Sequence, residues 1–291
     1  MTALTKEFQK YLSLVKFSHT VFALPFALIG YSTAIFSRGY EFDWQTLILI
    51  IVCMVLARNA AMGFNRYIDR HYDGLNPRTA NREIPSKILS SRNVLIFVII
   101  NSVGFIIATW FLNYLCFFLS PLALLVILGY SYTKRFTWLC HIILGMGLAL
   151  APVGAYMAVS ASFDLTVILY SIIVLFWVAG FDILYAINDK EFDESQMLYS
   201  IPAFFGTTLA KLISVFFHTI STIMIFVIAH IETFGFIALS GSLLFILLLI
   251  FQHIIIHSGI KKLLPVLFLI NGMASIFLSI GIIIEMIIFY Y

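Results

Sequence analysis

Residues 164–193, DLTVILYSIIVLFWVAGFDILYAINDKEFD, join a long apolar run to a short acidic one. The run from Leu165 to Phe181 carries no charged residue and approaches the roughly 20 residues that cross a bilayer core as a helix. Asp182, Asp189 and Asp193 follow it closely. The stretch therefore predicts a membrane-spanning helix that brings carboxylates to one membrane surface.

The composition of the whole chain agrees with a membrane protein. Of its 291 residues, 62% are hydrophobic and 11% are charged, against roughly 25% charged residues in a typical soluble domain. The mean hydropathy is +1.04. These values exclude soluble enzymes, secreted disulfide scaffolds and disordered chains. The apolar runs are continuous, whereas the strands of a membrane barrel alternate in polarity, so a transmembrane barrel is excluded as well.

Further apolar runs recur along the chain, and each is close to the length of one spanning helix. We predict an all-α fold, a polytopic membrane bundle of nine transmembrane helices forming a single domain over residues 1–291. The predicted spans are 18–37, 44–66, 93–112, 114–133, 138–159, 164–184, 208–229, 233–255 and 263–288.

Basic residues set the predicted orientation. With the N-terminus in the cytoplasm, sixteen of the seventeen Lys and Arg residues fall on the inner side and only Arg38 lies outside. We therefore expect a multi-pass protein of the cell inner (cytoplasmic) membrane, with the polar inner loops in the cytoplasm and the C-terminus outside. The lipid bilayer is an expected partner, and nucleic acid is not.

Eight of the fourteen acidic residues lie in two inner segments. Asn65, Asp69 and Asp73 are spaced by four residues, which places them along one helical face. Asp182, Asp189 and Asp193 are spaced by seven and then four, which on a continuous helix again keeps one face. Aligned carboxylates repel one another near a membrane unless a cation neutralises them, and oxygen ligands of this kind suit Mg²⁺.

Each acidic stripe also has a structural interpretation, in which a solvated helix end pairs its acids with Arg66, Arg70 or Lys190. Arg78 and Arg82 follow the first stripe, and they either clamp a phosphate or only supply topological charge.

Arg58 should lie inside the membrane, where an ionisable residue is functional by default. It would bind a phosphate or an acidic substrate group, or form an ion pair with Asp69 or another acid of the stripes. Cys53, Cys116 and Cys140 show no paired spacing and are expected in the core, and the histidines are expected in packing or interfacial positions.

A magnesium and arginine site at the inner mouth of an apolar bundle fits a diphosphate with a long hydrocarbon tail. At these residues the chain resembles the UbiA-type intramembrane prenyltransferase family. The N-x3-D-x3-D motif of that family is Asn65, Asp69 and Asp73. Its second motif, D-x2-Y-A-x2-D-x3-D, is Asp182, Tyr185, Ala186, Asp189 and Asp193. Its Y-x3-K element is Tyr130 and Lys134.

The resemblance is closest to the 4-hydroxybenzoate polyprenyltransferases and related aromatic-acid prenyltransferases of ubiquinone and menaquinone biosynthesis. It implies helices around a central cavity, Mg²⁺ as cofactor, and polyprenyl diphosphate and an aromatic hydroxy acid as substrates. The implied metal-binding residues are Asn65, Asp69, Asp73, Asp189 and Asp193. The implied diphosphate-binding residues are Arg66, Arg78, Arg82, Lys134 and Arg135.

For catalysis, the resemblance implies roles for Asp182, Tyr185 and Asp189, and for acceptor binding it implies Arg58 and Tyr130. The acceptor is either 4-hydroxybenzoate or a dihydroxynaphthoate. One departure is Lys87, where relatives usually have Gly after Pro85-Ser86.

Two other classes compete with this interpretation. An intramembrane cation-coupled transporter also carries acidic residues within the membrane. It would need polar residues and interrupted helices at the bilayer midplane, whereas the acids of this chain cluster at one surface. A CDP-alcohol phosphatidyltransferase-like enzyme also combines acids, Mg²⁺ and diphosphate in a bundle. Its D-x2-D-G-x2-A-R signature is absent, because Asp73-Gly74 is followed by Leu-Asn-Pro.

Overall fold

The computed structural model describes residues 3–16, 22–257 and 264–290, and over these ranges it is entirely helical, with no strand. Eleven α-helices follow one another, with a π-helical turn at Thr33–Ser37 after the second and a 3₁₀ turn at Ile187–Asp189 after the seventh. They are α1 Ala3–Leu14, α2 Leu24–Ser32, α3 Trp44–Leu75, α4 Ser91–Trp110, α5 Tyr114–Thr133, α6 Cys140–Ser160, α7 Leu165–Ala186, α8 Lys190–Ser195, α9 Ile201–Ile231, α10 Phe236–His257 and α11 Leu264–Tyr290.

Eight helices within the described ranges are long and apolar enough to cross a membrane, so the chain is a polytopic, all-helical membrane protein. They match the predicted spans from 44–66 onwards. The predicted first span, 18–37, coincides in part with a shorter apolar helix at Leu24–Ser37, while its residues 18–21 lie outside the described residues. Lys261, Lys262 and residue 263 of the last predicted span also lie outside them. The count of nine spans therefore stays a prediction.

The helix that carries the first acidic stripe begins and ends where its sequence indicates. The side chain of Asp43 caps its N-terminus by accepting hydrogen bonds from the backbone N–H groups of Gln45 and Thr46. It ends at Leu75, with Asn76 in an extended conformation before Pro77. The helix runs nine residues beyond the predicted span, so the stripe lies on its last turns.

The second acidic segment is not one continuous helix, and the expectation of a single helical face from Asp182 to Asp193 was wrong. Helix α7 ends at Ala186, a 3₁₀ turn covers Ile187–Asp189, and α8 starts at Lys190. A 3₁₀ turn has three residues per turn instead of 3.6, so it rotates the later side chains relative to the α7 face. Asp182, Asp189 and Asp193 nevertheless all line one cavity.

Helix α7 is the central helix of the bundle and packs between α6 and α9. Its side chains Tyr170, Trp177 and Val178 are completely buried. Close approach to α6 depends on Gly145, where an added Cβ would overlap the backbone carbonyl oxygen of Leu175. Small residues at such crossings allow membrane helices to pack tightly, which holds the inner end of α7 in a fixed position.

A buried polar network joins α7 to the last three long helices. The indole Nε1 of Trp177 donates to Asn271 Oδ1 (3.0 Å), and Asn271 Nδ2 donates to Gln252 Oε1 (3.0 Å). His218 contacts both Gln252 and the backbone carbonyl of Trp177. Buried polar groups need such partners in a membrane interior. The network fixes the register of α9, α10 and α11 against the central helix.

The loop between α3 and α4 contains a strained residue. Lys87 has φ 60°, in the left-handed region that favours glycine. This explains physically why glycine suits the position at which the chain departs from the family pattern. The loop nevertheless closes, because the backbone N–H of Leu89 donates to the carbonyl of Glu83.

Arg38 joins three segments at the end of the bundle that is predicted to lie outside. Its guanidinium contacts Asp164 (2.9 Å), Glu232 (2.8 Å) and Thr166 Oγ1 (3.0 Å). Replacing Arg38 by Met leaves both carboxylates without their cation, so we expect a loss of about 1–2 kcal/mol in the free energy of unfolding. Thermal unfolding in detergent measures this loss of stability. Arg92→Met, at an exposed position, is the control, and an equal loss in both variants would contradict the role of Arg38.

Candidate active site

A cavity of about 410 Å³ lies among the ends of α3, α5, α6 and α7. Thirteen of the fourteen residues that the sequence nominated line it: Arg58, Asn65, Asp69, Asp73, Arg78, Arg82, Tyr130, Lys134, Arg135, Asp182, Tyr185, Asp189 and Asp193. Arg66 does not line the cavity, although it is buried on α3. The structure thus brings three separate segments of the chain, 58–82, 130–135 and 182–193, together at one place.

The first stripe runs along the cavity side of α3. Asn65 Nδ2 donates to Asp69 Oδ2 (2.9 Å), one turn further along the helix. The other oxygen of Asp69 accepts from Arg135 (3.0 Å), and Asp73 Oδ1 accepts from Arg82 (2.6 Å). The second oxygen of Asp73 is buried and has no hydrogen-bond partner within the described part of the chain. It is a carboxylate oxygen that still needs a ligand.

The second set of acids is held by the loop after α3 and by the end of α5. Arg78 donates two hydrogen bonds to the carboxylate of Asp189, with Nε 2.9 Å from Oδ1 and Nη2 2.6 Å from Oδ2. Asp193 is fully buried, and its carboxylate meets Lys134 (2.7 Å) and accepts from Ser200 Oγ (2.9 Å). Burial opposes the charge on Lys134, but Asp193 outweighs it and raises the pKa of Lys134. Lys134 therefore stays cationic.

Each of the four acids thus has a basic partner, and the partners differ from those expected for solvated helix ends. Lys190 pairs with Glu194 on its own helix, and Arg70 lies over the ring of Tyr67. Arg82 is nine residues from Asp73, but Arg135 and Arg78 reach acids 66 and 111 residues away. These ion pairs join α3, the loop after α3, the end of α5 and the 189–193 segment at one cavity. The basic residues therefore do more than set the orientation of the chain in the membrane.

The chemistry of these donors fits a magnesium ion held together with a diphosphate, and less well an ion held by protein alone. No three acidic, histidine or cysteine side chains in the described residues converge as a ready metal site. Mg²⁺ usually takes one or two carboxylates and completes its shell with phosphate and water oxygens. The unpartnered Asp73 oxygen and the four carboxylates supply donors of that kind. The basic side chains beside them match the charge of a diphosphate.

Asp182 faces the same cavity but has a different partner. Its Oδ2 lies 2.6 Å from Nδ1 of His141 on α6, and its side chain is 32% exposed. Tyr185, one turn along α7, has a buried hydroxyl with no hydrogen-bond partner among the described residues. Asp182 and Tyr185 are therefore close to each other and separate from the four acids paired with Arg or Lys.

Arg58 forms no ion pair with an acid in the ranges that the structure describes, so the alternative of a structural pair with Asp69 is not seen. Its Nε is buried and has no hydrogen-bond partner there. Tyr130 lines the cavity with it. A half-buried guanidinium without an anionic partner suits a negatively charged ligand, because desolvating an unpaired charge is costly.

The remaining wall of the cavity is largely apolar. Its side chains come from the segment before α2 and from α3, α6, α7 and α11, and they are Phe22, Met62, Leu144, Leu148, Val178, Phe181 and Phe268. The rings of Phe22 and Phe268 meet edge to face, with centroids 4.6 Å apart. The cavity is therefore charged on one part of its surface and suited to hydrocarbon on another.

Sequence reasoning missed several cavity residues, of which His141 is the most informative. It was grouped with histidines expected to serve in packing, yet it contacts Asp182 directly. Cys140, Asn76 and Ser131 also line the cavity, and Asn76 Nδ2 lies 3.5 Å from Asp189 Oδ1. Proximity in sequence to Pro77 and Lys134 was the available signal for Asn76 and Ser131. His141 has no such local signal.

The chain is similar to known proteins over nearly its whole length. The model of the UbiA prenyltransferase family matches residues 23–281. The 4-hydroxybenzoate octaprenyltransferase of Aliivibrio salmonicida (strain LFI1238) is 32% identical over 184 residues, 63% of this chain and 64% of that protein. That of Aliivibrio fischeri (strain MJ11) is 31% identical over 164 residues, 56% and 57% of the two chains. The chain matches less than two thirds of the length of these curated relatives.

Solved structures extend the similarity. The apo structure of a UbiA homologue from Aeropyrum pernix K1 superposes with a TM-score of 0.83 at 33% identity, covering 92% of this chain and 98% of that one. A UbiA homologue from Archaeoglobus fulgidus bound to DMAPP and Mg²⁺ gives a TM-score of 0.72 at 20% identity, covering 94% and 99%. The second likeness concerns the fold alone.

Proposed function

We propose, from the premise that this chain belongs to the UbiA prenyltransferase family, that it transfers a polyprenyl group from polyprenyl diphosphate to an aromatic hydroxy acid. The new bond forms at a ring carbon, and the reaction depends on Mg²⁺. The acceptor is 4-hydroxybenzoate or a dihydroxynaphthoate, and the product enters ubiquinone or menaquinone biosynthesis. The names of the curated relatives favour 4-hydroxybenzoate of the two.

One observation carries this proposal. Carboxylates from α3, the 3₁₀ turn and α8 meet basic side chains at a single cavity whose other wall is apolar. A ligand that satisfies both parts has an anionic head and a hydrocarbon tail. A long prenyl diphosphate has both.

At the charged part, we propose that Asn65, Asp69, Asp73, Asp189 and Asp193 hold Mg²⁺ against the diphosphate. When bound, Mg²⁺ supplies positive charge that stabilises the leaving diphosphate. Arg78 and Arg82 turn from their carboxylates to phosphate oxygens, because the guanidinium fork fits either group. Lys134 and Arg135 contribute further positive charge. Arg66 lies off the cavity, and any contribution from it is electrostatic at a distance.

At the acceptor part, Arg58 and Asp182 provide complementary contacts for a hydroxy acid. Within the described residues, Arg58 has no anionic partner and, unlike Arg66, it lines the cavity, so it pairs with the acceptor carboxylate. Asp182 accepts from His141 through Oδ2, which leaves Oδ1 for the phenolic hydroxyl. Tyr130 lines the same region and Tyr185 lies beside Asp182. Both carry hydroxyl groups that can hydrogen-bond to the acceptor.

The bundle itself serves the chemistry in two ways. Its apolar wall holds the prenyl chain, and it keeps water from the allylic carbon once the C–O bond weakens. Phe22 and Phe181 line the cavity, and their aromatic rings stabilise positive charge that develops on that carbon. The electron-rich ring carbon ortho to the hydroxyl then attacks, and charge stabilisation by the fixed polar groups lowers the barrier.

The proposed setting is the cytoplasmic membrane, with the N-terminus and the cavity loops on the cytoplasmic side and the C-terminus outside. Arg38 lies at one end of the bundle and the basic residues of the cavity lie at the opposite end. This distribution of basic residues supports the proposed orientation.

Membranes that contain the protein test the proposed function and its acceptor. We expect a labelled long-chain prenyl diphosphate to label 4-hydroxybenzoate or a dihydroxynaphthoate in the presence of Mg²⁺. Removing Mg²⁺ with a chelator should abolish the product, and restoring Mg²⁺ should recover it, because the carboxylates alone repel the diphosphate. Labelled CDP-alcohol is the control donor. Lipid product from CDP-alcohol, without prenylated acceptor, would contradict the proposal.

A further inference from the structure

His141 lies at the junction of three helices and makes two directional hydrogen bonds with its ring. Nδ1 lies 2.6 Å from Oδ2 of Asp182 on α7. Nε2 lies 3.2 Å from the backbone nitrogen of Ile201, the first residue of α9. The side chain itself is almost completely buried, 3% exposed, whereas that of Asp182 is 32% exposed at the cavity.

These two contacts fix the proton arrangement on the ring. A backbone N–H can only donate, so Nε2 of His141 must be the acceptor toward Ile201. Nδ1 must then carry the proton, and it donates to the carboxylate of Asp182. Fixing a ring nitrogen by its other hydrogen bond is the usual way in which proteins orient histidine. The Nε2 atom is occupied and cannot relay a proton onward.

We infer that His141 is a positioning residue for the reaction, because its Nδ1–H fixes the carboxylate of Asp182 as the group that receives the phenolic proton of the acceptor. The inference rests on the proposed function and deepens it. Among the described residues, Asp182 is also the cavity acid without an Arg or Lys partner, unlike Asp69, Asp73, Asp189 and Asp193. Its carboxylate is therefore free to take a proton without losing a cation that binds diphosphate.

The ring carbon forms a bond to the allylic carbon, and the electron pair of the broken C–O bond leaves with the diphosphate. The phenolic proton moves to Oδ1 of Asp182, which gives a ring ketone. The departed diphosphate then takes the proton of the substituted ring carbon, and Asp182 returns its proton to the ring oxygen. The phenol is restored, and Asp182 is again a carboxylate oriented by His141.

Two substitutions at His141 form a matched pair. The amide nitrogen of Asn lies where Nδ1 of His lies on the Cβ–Cγ frame, so His141→Asn keeps a donor to Asp182. His141→Leu has no donor. Both remove the acceptor for the N–H of Ile201, so a structural cost at that site is common to the two variants. A difference between them isolates the hydrogen bond to Asp182.

We expect kcat for His141→Asn to exceed that for His141→Leu by about 10-fold or more, the range for a hydrogen bond to a charged group. The KM for prenyl diphosphate should be equal in the two. In an Asp182→Asn background, the difference between Asn and Leu at position 141 should shrink, because the amide that replaces the carboxylate has no charge and cannot take the phenolic proton. Equal kcat for the two single variants, or an undiminished difference in that background, would overturn the inference.

A readout without turnover separates this inference from the proposed function. Infrared difference spectra against Asp182→Asn isolate the carboxylate bands of Asp182, which shift when it accepts a hydrogen bond. We expect the shifted bands in the wild type and in His141→Asn, and unshifted bands in His141→Leu. Unshifted bands in the wild type refute the role of His141. Shifted bands in a wild-type protein that prenylates no acceptor refute the proposed function.

Discussion

Replacing Asp189 by Asn is expected to lower Mg²⁺-dependent prenyl transfer by about 10²–10³-fold while the protein stays folded in the membrane. Asn has the same size, but it removes a negative charge that the proposed ion needs, and such charge-stabilising groups are worth about that much in rate. The substitution also weakens the bidentate ion pair between position 189 and Arg78. Initial rates at several Mg²⁺ concentrations measure the effect.

Glu191→Gln is the matched control for Asp189→Asn. Glu191 is the second residue of α8, is exposed, and does not line the cavity, so the same change of charge two residues away should leave the rate unaltered. Asp69→Asn, on the other side of the cavity, should lose activity as Asp189→Asn does. Full activity in either Asp variant would show that the acids do not hold the ion.

Replacing Arg58 by Met should raise the KM for the aromatic acid by about 10²-fold, since a buried charge pair that loses one partner typically costs a few kcal/mol. The KM for prenyl diphosphate should stay close to that of the wild type, because the diphosphate contacts are assigned to other residues. Steady-state kinetics with each substrate varied in turn measure the two values.

The acceptor itself provides the control for Arg58. A phenol without the carboxylate should react poorly with the wild type, and Arg58→Met should not lower its rate further. If Arg58→Met instead raises the KM for prenyl diphosphate and leaves that for the aromatic acid unchanged, then Arg58 binds the diphosphate and the acceptor assignment is wrong.

Periodicity was enough to place the first acidic stripe. Asn65, Asp69 and Asp73 repeat every four residues, and the helix continues unbroken to Leu75, so their common face follows from helix geometry. The stop at Gly74–Pro77 was also predictable, since Pro77 restricts Asn76 to an extended conformation. These are local effects, and local sequence encodes them.

The break after Ala186 was not predictable in the same way. No Gly or Pro lies between Tyr185 and Asp193 to mark the 3₁₀ turn. The ion pair of Asp189 with Arg78 and the pair of Asp193 with Lys134 hold the turn from other segments. Tertiary contacts of this kind override the helical pattern of the segment, and they depend on how distant helices pack.

The partners of the acids show the same limit. The structural interpretation paired the acids with the nearest bases, Arg66, Arg70 and Lys190, whereas the structure brings Arg135 to Asp69 from just after α5 and Arg78 to Asp189 from the loop after α3. His141 was likewise assigned to packing, because its partner Asp182 is 41 residues away. Composition and periodicity located the charged end of the bundle. Three-dimensional packing decided which charges meet there.

The most direct test of Mg²⁺-dependent prenyl transfer uses purified protein in a lipid bilayer, a long-chain prenyl diphosphate and 4-hydroxybenzoate. Mass spectrometry follows the acceptor with Mg²⁺ and with a chelator. We expect a product whose mass is that of the acceptor plus one prenyl group minus one hydrogen, formed only with Mg²⁺. No prenylated product from this acid or from a dihydroxynaphthoate, with Mg²⁺ present and the protein folded, would contradict it.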